Sequence, residues 1–267
     1  MLRQRILTAT LLVLLLMIVI LALPRQFTVA VLSLAALGGA WEWAGFLDLR
    51  RWFGRLAYVL VVAVAMLFGW WLASDAVPLE ALLWTAVLWW MLALAMVARY
   101  PFPMSPIIVA VCGILSVVPG WLALARLDLV QPLGRELLLF ALGLIWAADI
   151  GAYFMGRAFG RLKLAPRVSP NKTWEGVLGG LAAAAIVSLA AAMWFEMPLG
   201  RLLPLCIAVA GASVIGDLTV SMFKRRSGLK DSGHLFPGHG GLLDRMDSIV
   251  AATPFFVLGI GWLGTRT

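Results

Sequence analysis

Residues 216–248 read GDLTVSMFKRRSGLKDSGHLFPGHGGLLDRMDS, and these 33 positions hold four Asp, five Lys or Arg, six Gly and both His residues of the chain. Long apolar runs flank the stretch on both sides, in a 267-residue chain that is 63% hydrophobic and 13% charged. With a mean hydropathy of +0.99, that composition belongs to an integral membrane protein and not to a soluble domain with a large core.

Nine runs are long enough to span a bilayer, at about 6–23, 27–47, 56–73, 79–97, 107–125, 136–156, 176–195, 202–222 and 243–263. The expected fold class is therefore an all-α integral membrane protein, a polytopic bundle of about nine transmembrane helices. Residues 1–267 read as a single membrane-embedded domain, with largely scaffold spans over 1–125 and the motif-bearing spans and loops over 136–250. The first run follows Arg3 and Arg5 like a leader peptide. Its 18 uninterrupted residues exceed a usual leader core, and Pro24-Arg25-Gln26 offers no small-residue cleavage site, so it is expected to remain as a span. Under nine spans, 16 Lys or Arg fall on the side of the N-terminus and 5 on the other, counting Arg245 with the loop before it. This places the N-terminus and both motif loops in the cytoplasm. A net charge of +8 suits an anionic lipid surface, whereas nucleic acid would need a basic soluble face that the chain lacks. Cys112 and Cys206 fall within apolar runs and read as small core residues.

The chemistry is concentrated at the two ends of the opening stretch. Asp217, Ser221 and Lys224 share one face at the end of the eighth span, and Asp244, Asp247 and Ser248 share one at the start of the ninth. Two carboxylates about 4 Å apart repel by roughly 4 kcal/mol at an effective dielectric of 20, so converging aspartates need a cation or a proton. Hard oxygen donors favour magnesium over zinc, and Asp217, Asp244 and Asp247 are the expected ligands. Lys224, Arg225, Arg226 and Lys230 lie between, with Pro237–Gly241, a turn whose glycines bring backbone amides close to an anion. Metal, cations and bare amides together suggest phosphate chemistry.

Upstream, Glu42 lies inside the second span between two tryptophans; it reads either as a functional carboxylate or as a polar packing group. Trp146, Asp149 and Tyr153 form a polar stripe along the sixth span, with Asp149 expected to point into the protein. Gly151, Gly156 and Gly160 read as a helix-packing face, and the Ala- and Gly-rich seventh span as central in the bundle. In the loop before that span, Ser169-Pro170-Asn171-Lys172-Thr173-Trp174-Glu175-Gly176 places hydroxyls, a lysine and amides at a helix start, a setting that suits a triphosphate. No P-loop pattern occurs, so a nucleotide would be held differently.

Ser221, Lys224, Arg225, Lys230, Asp231, Gly233, Pro237, His239, Gly240, Gly241, Asp244, Arg245 and Asp247 together resemble the signature of the phosphatidate cytidylyltransferase (CDP-diacylglycerol synthase) family. The Ser169–Gly176 block and the Asp149, Ala152 and Tyr153 spacing resemble two further family blocks, and the family tends to carry a Glu near position 42. The resemblance implies transfer of the cytidylyl group of CTP to phosphatidate, giving CDP-diacylglycerol and pyrophosphate for phospholipid synthesis. It implies Asp217, Asp244, Asp247, Lys224 and Arg225 as catalytic. Substrate contacts would come from Ser169, Asn171, Lys172, Thr173, Ser221, Lys230, Asp231, His239, Gly240, Gly241, Arg245, Asp149 and Tyr153. It further implies magnesium, a second cation such as potassium, and a bacterial inner (plasma) membrane with the site facing the cytoplasm; a homodimer is compatible with it. Two rivals stand beside this reading: another CTP-using lipid or polyprenol kinase or nucleotidyltransferase, and an ion or lipid transporter, since carboxylates in spans also mark transport pathways.

Overall fold

The computed structural model describes residues 2–47, 49, 51–75, 78–130, 132–233, 235 and 240–263. Nine α-helices occur among them: α1 Leu2–Ala22, α2 Arg25–Trp43, α3 Trp52–Asp75, α4 Leu79–Arg99, α5 Pro106–Leu129, α6 Gly134–Phe159, α7 Trp174–Trp194, α8 Leu199–Arg226 and α9 Leu243–Trp262. Seven of these, α2 to α8, are long and apolar enough to cross a membrane. The last helix, α9, opens on Asp244, Arg245 and Asp247. The protein is a polytopic all-α membrane bundle.

Helix starts follow the punctuation of the sequence. Pro24, Pro78 and Pro198 directly precede α2, α4 and α8, and Ser105 caps α5 by accepting a bond from the Ile108 amide at 3.3 Å, with Pro106 next. A proline there fixes φ and lacks an N–H that would be unpaired in a first turn. Lys224, Arg225 and Arg226 close α8, where cations meet the negative end of the helix dipole. The helix runs four residues beyond the expected end of the span at 222, which shortens the loop and keeps Lys224 in the packed last turn, on the helix with Asp217 and Ser221 as their spacing predicts.

The interior is built around α5 and α8. Burial covers 61% of the α5 span and 56% of the α8 span, but only 17% of α3, whose Leu60, Val61, Val64, Leu67 and Phe68 are exposed and suited to lipid. Trp43, Phe46, Trp90, Phe223 and Phe256 are the largest fully buried side chains, and the Trp43 and Phe223 rings meet at 4.9 Å, joining α2 to α8. Cys112 and Cys206 are buried free thiols.

The α7 helix departs from expectation. Only 33% of its span is buried, and Leu178, Ile186, Leu189, Met193 and Trp194 are exposed, so it is peripheral and not central. Its glycines serve the close contact with α6: a Cβ on Gly151 would lie 2.6 Å from the Gly179 carbonyl oxygen. Small residues permit close approach of two helices without requiring burial on every side.

Between α6 and α7 a two-stranded antiparallel hairpin, β1 Lys163–Ala165 and β2 Ser169–Thr173, replaces the expected irregular loop. Glu175 fastens it to α7 by accepting the Leu162 amide on both oxygens, at 3.1 and 3.2 Å.

Candidate active site

The two motif blocks meet at one ion pair. Lys172 is the penultimate residue of β2, next to Thr173, whose hydroxyl caps α7 by accepting the Gly176 amide at 3.1 Å. So held, the Lys172 ammonium reaches Asp217 Oδ2 of α8 at 2.5 Å, with both side chains partly exposed. Ser221, one turn along α8, donates to Asp217 Oδ1 at 3.2 Å, as their shared face predicts.

Asp217 follows Gly216, where α8 runs so close to α9 that a Cβ on Gly216 would collide with the Asp247 carbonyl oxygen. This contact brings Asp247 within electrostatic reach of Asp217, Lys224 and Lys172. Asp247 is 7% exposed, and its Oδ1 accepts the Ser248 amide at 2.8 Å. Asp149 of α6 lies within electrostatic reach of Asp217, Lys172 and Arg245, close to Ser248. Asp149 thus points to the site, as expected, and is exposed there. Its neighbours Ile150, Tyr153 and Phe154 are exposed too.

Asp244 stands apart from this group. Lys224 donates to its Oδ1 at 2.7 Å in an ion pair whose side chains are 11% and 6% exposed. Its Oδ2 accepts the Ser232 and Gly241 amides, both at 3.0 Å. The three aspartates expected to converge on one ion therefore divide. Asp217 and Asp247 face each other across the α8–α9 contact, while Asp244, in the first turn of α9, is turned to the loop. Among the described residues no three Asp, Glu, His or Cys side chains gather closely enough to hold an ion.

Other expected contacts are distributed unevenly. The Arg225 guanidinium bonds the Val168 and Leu229 carbonyls, holding the hairpin against the end of α8. Tyr153 accepts from Arg157 at 2.9 Å on the exposed side of α6. Ser169 is half-buried; Asn171, Lys230, Asp231 and Arg245 are exposed. Gly240 has φ +80°, a conformation natural to glycine, and Gly241 is buried with its amide on Asp244. Pro237 and His239 lie outside the described residues.

Against known proteins, the pattern of the cytidylyltransferase family matches residues 3–262. The chain belongs to that family. It is 43% identical over 275 residues to a phosphatidate cytidylyltransferase of Pseudomonas aeruginosa, covering 98% of this chain and 99% of that protein. A Haemophilus influenzae phosphatidate cytidylyltransferase is 40% identical over 283 residues, covering 96% and 97%. One from Brucella suis is 49% identical over 138 residues, about half of each chain.

The site also brings in residues that the sequence left undecided or passed over. Glu42 of α2 is 7% exposed and accepts Ser232 Oγ at 2.6 Å and the Leu242 and Leu243 amides, each at 2.8 Å. A carboxylate inside a span was a visible signal, but its partners lie 190 and more residues away and could not be read. Ser248 was legible as sharing a helix face with Asp244 and Asp247, whereas Ser232 gave no signal beyond being a hydroxyl near the motif. Arg226 bonds the Phe46 and Met104 carbonyls, seating the end of α8 on the scaffold helices.

Proposed function

We propose that this protein transfers the cytidylyl group of CTP to phosphatidate. The lipid phosphate oxygen bonds to the α-phosphorus, the bond between that phosphorus and the β-phosphate bridge breaks, and pyrophosphate leaves. The Lys172–Asp217 contact carries the reading, because it joins the block suited to a triphosphate to the acidic block at the membrane face. The family relationship and the named function of the relatives over nearly the whole chain support the same substrates.

The donor set fits magnesium. Asp217 and Asp247 offer hard oxygens on facing helices, and magnesium is commonly held by one or two carboxylates with water and substrate phosphates completing its shell. Bound there, it would neutralise triphosphate charge and polarise the α-phosphoryl group. Lys172 and Arg245, both accessible, meet the anionic substrates, while Lys224 holds Asp244. Since the attacking group is already an anion, positioning contributes more than a strong base would. A second, monovalent cation belongs to the same proposal and is tested by exchanging potassium for sodium at fixed magnesium.

The finer placement is a bacterial inner membrane, with the site at the cytoplasmic face and a homodimer as a compatible assembly. Phosphatidate would come sideways from the bilayer, past Asp149. The exposure of that carboxylate beside Ile150, Tyr153 and Phe154 supports this route. Lifting a diacyl lipid into water would expose tens of methylenes at about 0.8 kcal/mol each.

The test is an assay of purified protein in detergent with CTP and phosphatidate, with and without magnesium. CDP-diacylglycerol forming only with magnesium is expected. A polyprenol consumed in place of phosphatidate would overturn the substrate assignment.

A further inference from the structure

We infer that Glu42, on a scaffold helix outside the motif blocks, is a positioning residue for the transfer, an inference that rests on the reaction proposed above. Its three hydrogen bonds all go to the motif loop and the first turn of α9. That turn carries Asp244, and Asp247 follows one turn on. The first amides of a helix have no partners within it, and α9 has no cap from its own preceding residue. Glu42 supplies that cap from another helix, and its negative charge complements the positive end of the α9 dipole.

The geometry requires a carboxylate and not merely a polar group. Three donors converge on two oxygens, and an ionised carboxylate is acceptor-only, whereas Gln would turn an NH2 towards one of the donors. The loop is moulded on the carboxylate: a Cβ on Gly233 or on Gly241 would collide with it. Ser232 is gripped from both sides, its hydroxyl by Glu42 and its amide by Asp244. Asp244 in turn holds Lys224. Glu42, Ser232, Asp244 and Lys224 form one chain of polar contacts from α2 to the end of α8, and it sets the register of α9 against α8. That register is what holds Asp247 opposite Asp217.

The test compares wild type, Glu42→Gln, Ser232→Ala and the double variant in detergent, by steady-state kinetics and by hydrogen exchange at the Leu242 and Leu243 amides. Glu42 borders a cavity of about 650 Å3, which leaves a Gln side chain room without steric clash. In Glu42→Gln, exchange at both amides should rise at least about tenfold and kcat should fall roughly 10- to 100-fold. KM for CTP should stay within about threefold, because Lys172 is untouched. Ser232→Ala should lower kcat by roughly three- to tenfold alone and add little to Glu42→Gln, since the two act through one loop. A kcat within about twofold of wild type in Glu42→Gln, or unchanged exchange, would overturn the inference. Should that variant fail to fold, an unchanged kcat in Ser232→Ala would do so. A wild-type protein that makes no CDP-diacylglycerol would instead count against the proposed reaction, and the exchange measurement would still judge the Glu42 clamp.

Discussion

Replacing Asp244 by Asn removes one charge and almost no volume, so its effect reads the Lys224–Asp244 pair directly. Asp244 accepts one ammonium and two backbone amides on a side chain that is 6% exposed. In either orientation, the Asn NH2 group must face a donor, either the ammonium or the two amides. Lys224, with 11% of its side chain exposed, loses its closest counter-charge. Breaking a buried pair by removing one partner costs about 3–5 kcal/mol. The lower end applies here, since Asp217 remains within electrostatic reach of Lys224. A loss of about 3 kcal/mol is roughly a hundredfold in the folding equilibrium. Adding Lys224→Gln gives the Asn NH2 an acceptor and removes the stranded charge, so the double variant should recover at least half of the loss. Activity should stay down by about tenfold or more in both, because the loop amides and the first turn of α9 depend on the same carboxylate. Detergent-solubilised protein unfolded with SDS and followed by tryptophan fluorescence gives the stability. A loss below about 1 kcal/mol in Asp244→Asn, or strictly additive losses in the double variant, would refute the buried-pair reasoning.

Asp217→Asn should lower kcat on the order of a hundredfold or more while leaving insertion intact, since it removes a carboxylate from the site and not from the packing; near-normal turnover at limiting magnesium would contradict it. Lys172→Ala should raise KM for CTP by about tenfold with little change in unfolding, because a partly exposed ion pair contributes about 1 kcal/mol or less to stability; titration of CTP at saturating phosphatidate decides. Gly151→Val should destabilise the protein by about 1–3 kcal/mol by driving a side chain into the α7 backbone, as an SDS unfolding series would show. Raising salt should weaken CTP binding more than phosphatidate binding, since only the former relies on attraction through water. Reporter fusions at Thr267 should be active on the periplasmic side, as the split of 16 to 5 basic residues requires.

Much of the fold was legible because spans announce themselves by length and hydropathy, and prolines mark their starts. The hairpin at Lys163–Thr173 was not, since strands of three and five residues carry too little alternation to register. Burial of α7 was misjudged because small residues report close approach on one face and say nothing of the opposite face. At the site, helical spacing correctly grouped Asp217 with Ser221 and set Asp244 and Asp247 one turn apart. It could not show that these last two divide between loop and cleft, since side chains three apart on one helix still point to different neighbours. Which cation answers which carboxylate was equally hidden: Lys172 and Asp217 pair only because the hairpin turns β2 towards α8. Arg225 looked like a phosphate ligand for its position in the motif; that its guanidinium also holds a hairpin carbonyl was hidden.

The fate of the CTP phosphates distinguishes cytidylyl transfer from every rival at once. Purified protein is given phosphatidate, magnesium and CTP labelled either at the α- or at the γ-phosphorus, and the lipid is extracted. The α-label should pass into the lipid fraction as CDP-diacylglycerol, with the γ-label released as pyrophosphate in equal amount. Appearance of the γ-label in the lipid would mean a kinase, and retention of both labels in CTP would mean that the conjunction of Lys172, Asp217 and Asp247 serves some other chemistry.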